Sequence, residues 1–298
     1  MKIVISGASG FIGTRLLQTL TAAGHQLYVF SRRASANLPP GVGLSVWDPI
    51  AGEPAPKDLR DRDAVIHLAG ENVGQRWTAE AKRRILESRV NGTRNLVAAL
   101  AKLTERPATL ICASATGYYG PRGDEILDES AAPGNGFLAE VCAAWEREAR
   151  AAESLGMRVV RVRIGLVLDT HGGALQRMLP PFRMGVGGRL GEGRQWMSWI
   201  HLDDLAALFR FALEHPLAGP VNGVAPEPVT NADFTRALAK ALRRPAFFPV
   251  PGFALRAMFG EMAEMLLTGQ RVEPRAAQAA SFRFRFPRLD GALADLLR

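Results

Sequence analysis

A doubly wound parallel α/β sheet with a smaller α+β domain behind it is the fold class this sequence predicts, on three observations. The first half alternates short apolar runs with longer segments of helical period, which is the pattern of βαβ units. The chain opens on the run Lys2-Ile3-Val4-Ile5-Ser6, which passes through a glycine turn straight into a helical segment. After Gly165 the texture changes to a glycine- and proline-rich passage, with further helical segments behind it.

Taken in order, the opening run suits a strand of a parallel sheet covered on both faces. Gly7-Ala8-Ser9-Gly10-Phe11-Ile12-Gly13 follows with the spacing G-x-x-G-x-x-G, and Ile12, Leu16 and Leu20 recur at i, i+4 and i+8 as one helical face. Residues 26–31, 43–47, 64–68, 109–113 and 158–164 read as the second to sixth strands. Residues 79–103 read as helix in two parts, and residues 138–155 as a further helix. Gly172-Gly173, Pro180-Pro181, Gly185, Gly187-Gly188, Gly191 and Gly193 mark a long loop that ends at Trp199-Ile200-His201. Asp203 and Asp204 are suited to cap a helix whose Leu205, Leu208, Phe209 and Ala212 form one stripe. Thr230-Asn231 opens another, with Phe234, Leu238 and Leu242 inward. Phe282, Phe284 and Phe286 alternate with Arg283 and Arg285, the pattern of a strand with one buried face. The expected organisation is a Rossmann-type domain over residues 1–225, with an insertion at about 169–200 shaping a substrate cleft, and a small substrate or lid domain over residues 226–298.

Composition narrows the class. A chain of 298 residues, 47% hydrophobic and 22% charged, can bury a large core. No apolar run reaches the roughly 18 to 20 residues of a membrane helix, and Met1-Lys2-Ile3 leads directly into a strand, so a cytoplasmic protein without a membrane partner is expected. Cys112 and Cys142 sit in apolar segments and read as reduced, buried thiols. The five histidines show no metal-ligand spacing, and no metal is expected. The formal charge of +8 is distributed along the chain, which argues against a nucleic-acid partner.

A glycine turn between a strand and a helix lets backbone N–H groups approach a pyrophosphate whose charge the helix dipole favours. The second strand then selects the dinucleotide. An Asp or Glu about 20 residues past the glycines accepts ribose hydroxyls, whereas arginine accommodates a 2′-phosphate. Here the strand ends Ser31-Arg32-Arg33, with no carboxylate until Asp48, so NADP(H) is the expected cofactor. The competing reading leaves both arginines as solvated surface charge.

Gly7 to Gly13, His67-Leu68-Ala69-Gly70, Val90-Asn91-Gly92-Thr93-Arg94-Asn95-Leu96, Ser114-Ala115-Thr116-Gly117-Tyr118-Tyr119-Gly120 and Trp199-Ile200-His201-Leu202-Asp203-Asp204 together resemble an extended short-chain dehydrogenase/reductase, from the superfamily of NAD(P)-dependent epimerases and dehydratases. Ala69-Gly70-Glu71-Asn72, Arg76-Trp77, Ser88-Arg89, Gly136 to Cys142 and Gln270-Arg271-Val272 with Pro274 are similar to its atypical "epimerase family protein" group, whose members carry a short C-terminal domain of unknown function. The resemblance implies that Gly7, Ser9, Gly10, Phe11, Ile12 and Gly13 surround the pyrophosphate. It also implies that Leu68, Ala69 and Gly70 line the nicotinamide ribose, that Arg89 lies near the cofactor, and that Gly165-Leu166-Val167 meets the nicotinamide end.

Members of that superfamily place Tyr-x-x-x-Lys on the helix after the fifth strand; here the matching positions are Phe137 and Val141, and neither transfers a proton. Ser114 matches the superfamily's catalytic serine, and Tyr118 offers a phenol from the adjacent loop, so these two are the catalytic candidates. Thr116, Phe137, Trp199 and His201 are candidates for contact with substrate. Trp199 and His201 equally suit interface packing and a structural hydrogen bond, and Arg183, Arg189 and Arg194 suit either an anionic substrate or solvent. Two functions follow: an NADP(H)-dependent oxidoreductase or epimerase acting on a small carbonyl or nucleotide-sugar-like substrate, and a non-enzymatic NADP(H) sensor. A monomer and a homodimer are both compatible with the apolar helix faces.

Overall fold

The computed structural model describes residues 1–34 and 38–298. Its centre is a seven-stranded sheet in the order β11-β7-β5-β4-β1-β2-β3, parallel throughout. In chain order the first half contains β1 (Lys2–Ser6), α1 (Phe11–Ala22), β2 (Gln26–Ser31), β3 (Gly43–Val46), α2 (Pro56–Leu59), β4 (Ala64–His67), α3 (Ala79–Ala101), β5 (Thr109–Ala115), a short β6 (Ile126–Leu127), α4 (Phe137–Arg150) and β7 (Arg158–Ile164). The central strands are buried on both faces, as a sheet with helices on each side requires. Leu16, Leu17 and Leu20 of α1 pack on one face, and Leu96, Val97, Leu100 and Trp145 from α3 and α4 on the other.

The second half contains β8 (Leu166–Leu168), α5 (Gly173–Arg183), β9 (Trp196–Met197), β10 (Trp199–His201), α6 (Leu202–Glu214), β11 (Gly219–Gly223), β12 (Val229–Thr230), α7 (Asn231–Leu242), α8 (Gly252–Phe259), α9 (Ala263–Leu267), β13 (Arg271–Val272), α10 (Arg275–Ala279) and α11 (Leu289–Leu296). Strand β11 completes the main sheet, so that sheet draws on residues up to Gly223. Thr230 caps α7 by accepting the Asp233 N–H, and Phe234 and Leu238 turn inward as their spacing predicts.

Four local expectations are corrected. Residues 79–101 form one uninterrupted helix; Gly92 does not break it but lets Pro49 approach, since a Cβ there would stand 2.9 Å from the Pro49 Cβ. The passage 165–200 is not all loop: α5 forms in spite of Pro180 and Pro181, because Leu175, Leu179 and Phe182 bury one stripe in a cluster with Trp199, Phe234 and Leu238. His201, rather than Asp203 or Asp204, caps α6, its Nδ1 accepting the Asp203 N–H at 3.0 Å. Residues 282–286 do not form a strand. Phe282 and Phe286 are buried, but the Arg285 and Phe286 N–H groups donate to the buried Asp204 carboxylate at 2.8 and 2.9 Å instead of joining a ladder.

Candidate functional site

Strand order reverses between β1 and β4, and at their C-terminal ends lies a groove of about 1260 Å³. This is the topological switch point, where open α/β sheets hold ligands. The turn from β1 to α1 forms its floor. Gly7 has φ +74°, and a Cβ there would stand 2.7 Å from the Leu68 carbonyl carbon; at Gly13 it would stand 2.3 Å from the Gly7 oxygen. Glycine is therefore required at both positions for the turn to seat between β4 and α1. Beneath the turn, Ser6 Oγ and His67 Nδ1 lie 2.6 Å apart, and the Ala69 N–H donates to the same Ser6 oxygen at 3.4 Å. His67 is fully buried, its Nε2 has no partner among the described residues, and burial pushes its pKa down to about 4. It is a neutral strut for the groove.

The groove brings together Gly7, Ser9, Gly10, Ser31, Arg32, Arg33, Leu68, Ala69 and Gly70 from the residues expected at the cofactor. Arg32 and Arg33 are exposed and make no ion pair among the described residues. Phe11, Ile12 and Gly13 stand just behind it on α1, with the Phe11 ring against Gly172, where a Cβ would stand 2.4 Å away. Arg89 packs under Gly70 and 5.1 Å from the Trp145 ring centroid, its guanidinium donating to the Ile85 carbonyl. Burial lowers the Arg89 pKa, against the opposing fields of Cys142 and Glu71. Gly165 lies farther along, where a Cβ would meet the Ser198 oxygen at 2.2 Å; Leu166 and Val167 continue from it into β8 beside β10. The groove also takes in Thr14 and Gln18 of α1, the stretch Trp47 to Ile50, Glu71 and Ser88. The position of Trp47 to Ile50 just past the third strand was the available signal for that wall, because C-terminal strand ends converge on the crevice.

Across the sheet, at the ends of β5 and β7, the polar groups are paired with one another. Ser114 Oγ donates to Glu146 Oε1 at 2.8 Å, and Arg163 grips both Glu146 oxygens at 2.8 and 3.0 Å. Glu146 and Arg163 are 5% and 3% exposed. Burial opposes the Arg163 charge, but the hydrogen bonds and field of Glu146 outweigh it and hold the guanidinium above its usual range. Arg163 also donates to the Tyr119 hydroxyl at 2.9 Å, which in turn donates to Asn222 Oδ1 at 2.7 Å. Burial pushes Tyr119 up to about 12, with Arg163 pulling the other way. Asn222 continues the chain, its side-chain amide donating to the Glu273 carbonyl. Sequence reasoning missed Glu146, which follows Ser114 by 32 residues and carries no motif of its own.

The remaining candidates divide. Tyr118 is partly exposed, with the Arg163 guanidinium 3.6 Å from its ring centroid, and Thr116 begins the short turn that carries it. Phe137 opens α4 with its ring edge-on to Trp77 at 5.2 Å and the Lys82 ammonium 5.0 Å away, while Val141 is buried. Trp199 and His201, expected in the substrate cleft, are 0% and 2% exposed. Trp199 donates to the Glu227 carbonyl, and His201 caps α6 and stacks on Phe286 at 4.0 Å, so both serve packing here. The two thiols are buried and free, and burial pushes Cys112 and Cys142 up to about 12 and 11.

A parallel sheet with a glycine turn at its switch point, a basic second-strand end and a serine at the end of β5 defines a nucleotide-binding protein of the extended short-chain dehydrogenase/reductase type. The sequence profile of the NAD dependent epimerase/dehydratase family matches residues 3–225, and that of a domain of unknown function, DUF1731, matches residues 250–296; the chain belongs to the epimerase/dehydratase family. It is 46% identical over 294 residues to the epimerase family protein Mb2239 of Mycobacterium bovis, covering 98% of this chain and 96% of that one. It is 40% identical over 303 residues to the epimerase family protein SDR39U1 of Mus musculus, covering both chains fully. Among solved structures, human SDR39U1 crystallised with NADPH matches with a TM-score of 0.90 and 37% identity over 100% of this chain and 99% of that one.

Proposed function

We propose that this protein binds NADP(H) in the groove and acts as an oxidoreductase or epimerase on a small carbonyl or nucleotide-sugar-like substrate, in a cytoplasmic setting. The observation that carries the cofactor is the pair of cations just past β2, Arg32 and Arg33, which make no ion pair among the described residues, beside Ser31 in a groove whose turn tolerates no Cβ at Gly7 or Gly13. The human relative's structure with NADPH supports the same reading. Bound there, the nicotinamide supplies the hydride chemistry. The chain's own residues do the rest. Gly7, Ser9, Gly10 and Gly13 shape the pyrophosphate cradle, with Phe11 and Ile12 starting the helix that faces it. Arg32 and Arg33 hold the 2′-phosphate through charge-assisted hydrogen bonds. Leu68, Ala69 and Gly70 border the ribose, backed by Arg89, and Gly165, Leu166 and Val167 close the far end.

Ser114 is the proposed polar contact to substrate, with Tyr118 and Thr116 beside it. Because its hydroxyl proton is given to Glu146, the role left to its oxygen is to accept a hydrogen bond from a substrate hydroxyl. Phe137 contributes an apolar wall. The test is NADPH oxidation, or NADP reduction, across a panel of carbonyl compounds, alcohols and nucleotide sugars. Turnover that falls on the order of a hundredfold in Ser114→Ala supports the reading.

A second reading is favoured by one observation: Phe137 and Val141 stand where the superfamily carries its proton-transferring pair, and Phe137 is packed against Trp77 and Lys82. In that reading the protein is an NADP(H) sensor. Tight NADPH binding without turnover on the whole panel selects it.

A further inference from the structure

The exposed aromatic rings among the described residues fall in one stretch of the chain. Phe247, Phe248 and Phe253 are 82%, 61% and 76% exposed, and no other phenylalanine among the described residues is exposed. Single exposed hydrophobics need no explanation, but three aromatic rings within seven residues do. Met184 and Val186, 70% and 51% exposed, belong to the same surface because the chain from α5 runs alongside this segment. A Cβ on Gly185 would touch the Pro245 ring at 3.5 Å, and one on Gly188 would collide with the Phe248 carbonyl. The Val250 N–H donates to the Arg189 carbonyl, and the Gly191 N–H to the Val250 carbonyl, both at 2.8 Å. Phe247 and Phe248 therefore project from a segment tied to its neighbour, and Phe253 from the first turn of α8 that follows it.

The rim of this patch is positive. Arg183 and Arg189 flank the α5 side, and Arg243 and Arg244 immediately precede Pro245 on the other; all four are exposed and make no ion pair among the described residues. The nearby carboxylates are neutralised: Glu192 pairs with Arg194 and Glu264 with Arg256. Aromatic rings between unpaired arginines form a surface that inserts shallowly at a bilayer interface while its cations meet anionic headgroups. No described helix is long and apolar enough to cross a membrane.

We propose that this face docks the protein on the surface of an anionic lipid bilayer, with Phe247, Phe248 and Phe253 inserted and the four arginines on the headgroups. This departs from the expectation of no membrane partner, which concerned spanning segments. A second copy of the chain is the competing occupant, and the charge argues against it, because two such faces would bring their arginines together.

The experiment is sedimentation of the full chain with vesicles of phosphatidylcholine containing about a third phosphatidylserine, against pure phosphatidylcholine. The expected result is at least about tenfold stronger partition to the anionic vesicles, weakened at high salt. The triple variant Phe247→Ser, Phe248→Ser, Phe253→Ser and the charge variant Arg183→Glu, Arg243→Glu should each lose at least about tenfold in partition, with NADPH binding and melting temperature unchanged as the control for folding. No partition to anionic vesicles, or partition indifferent to both variants, overturns the proposal. So does a dimer in solution that the triple variant converts to monomer, which would assign the face to a second copy.

Discussion

The two halves of the sheet's C-terminal edge handle their polar groups in opposite ways. On the β1–β2–β4 side the groove is open, and Arg32 and Arg33 make no ion pair among the described residues. On the β5–β7–β11 side the donors and acceptors are turned on one another, from Ser114 through Glu146 and Arg163 to Tyr119 and Asn222. The open half keeps its hydrogen-bonding capacity for a ligand, and its residues are constrained by shape. The closed half spends that capacity internally, and its residues are constrained by each other. Mutations in the first half should therefore read out in cofactor binding, and those of Glu146, Arg163, Tyr119 and Asn222 in the second half in stability.

The sharpest test of this division is Gly13→Ala, whose Cβ would stand 2.3 Å from the Gly7 oxygen. A loss of NADPH affinity on the order of a hundredfold is expected by titration, since the cradle must open to admit it. Next comes Glu146→Ala, which leaves the buried Arg163 charge without its partner. It should cost about 3 to 5 kcal/mol in denaturant unfolding, with NADPH affinity nearly unchanged. Equal damage to binding would break the comparison. His67 links the halves to pH. Its pKa in the folded protein, about 4, lies below the ordinary value, so the unfolded chain binds the proton first. Stability is complete above about pH 6.5 and falls by roughly 1.4 kcal/mol per pH unit toward pH 4, a total of about 3 kcal/mol that unfolding curves of His67→Phe should lack. The smallest effect belongs to Arg32→Ala: about a tenfold loss for NADPH, with NADH affinity unchanged.

The open half was legible in the sequence because its determinants are local. Strand, glycine turn, helix and the end of the second strand lie within the first 33 residues, and spacing alone places them together. Six strands of the sheet followed from the same periodicities, but β11, whose Gly219-Pro220-Val221-Asn222-Gly223 carries no apolar run, did not. The closed half was not legible, because Glu146, Arg163 and Asn222 meet only through the crossing of β5, β7, β11 and α4, and charged residues on helices and strands usually face solvent. Residues 282–286 misled for a related reason. Alternating burial specifies which side chains turn inward, but a strand also needs a ladder partner, and there the partner is one carboxylate. His201 shows the same limit, since a histidine near a cleft and a histidine capping a helix share one sequence pattern.

That carboxylate has a consequence for biosynthesis. Asp204 is 2% exposed, and burial raises its pKa in spite of the two N–H groups it accepts. Those donors lie 81 and 82 residues later in the chain, so they are made well after it. Without the Arg285 and Phe286 N–H groups, burying Asp204 would leave a carboxylate short of its partners, so the docking of α6 and of residues 285–286 should be coupled in folding.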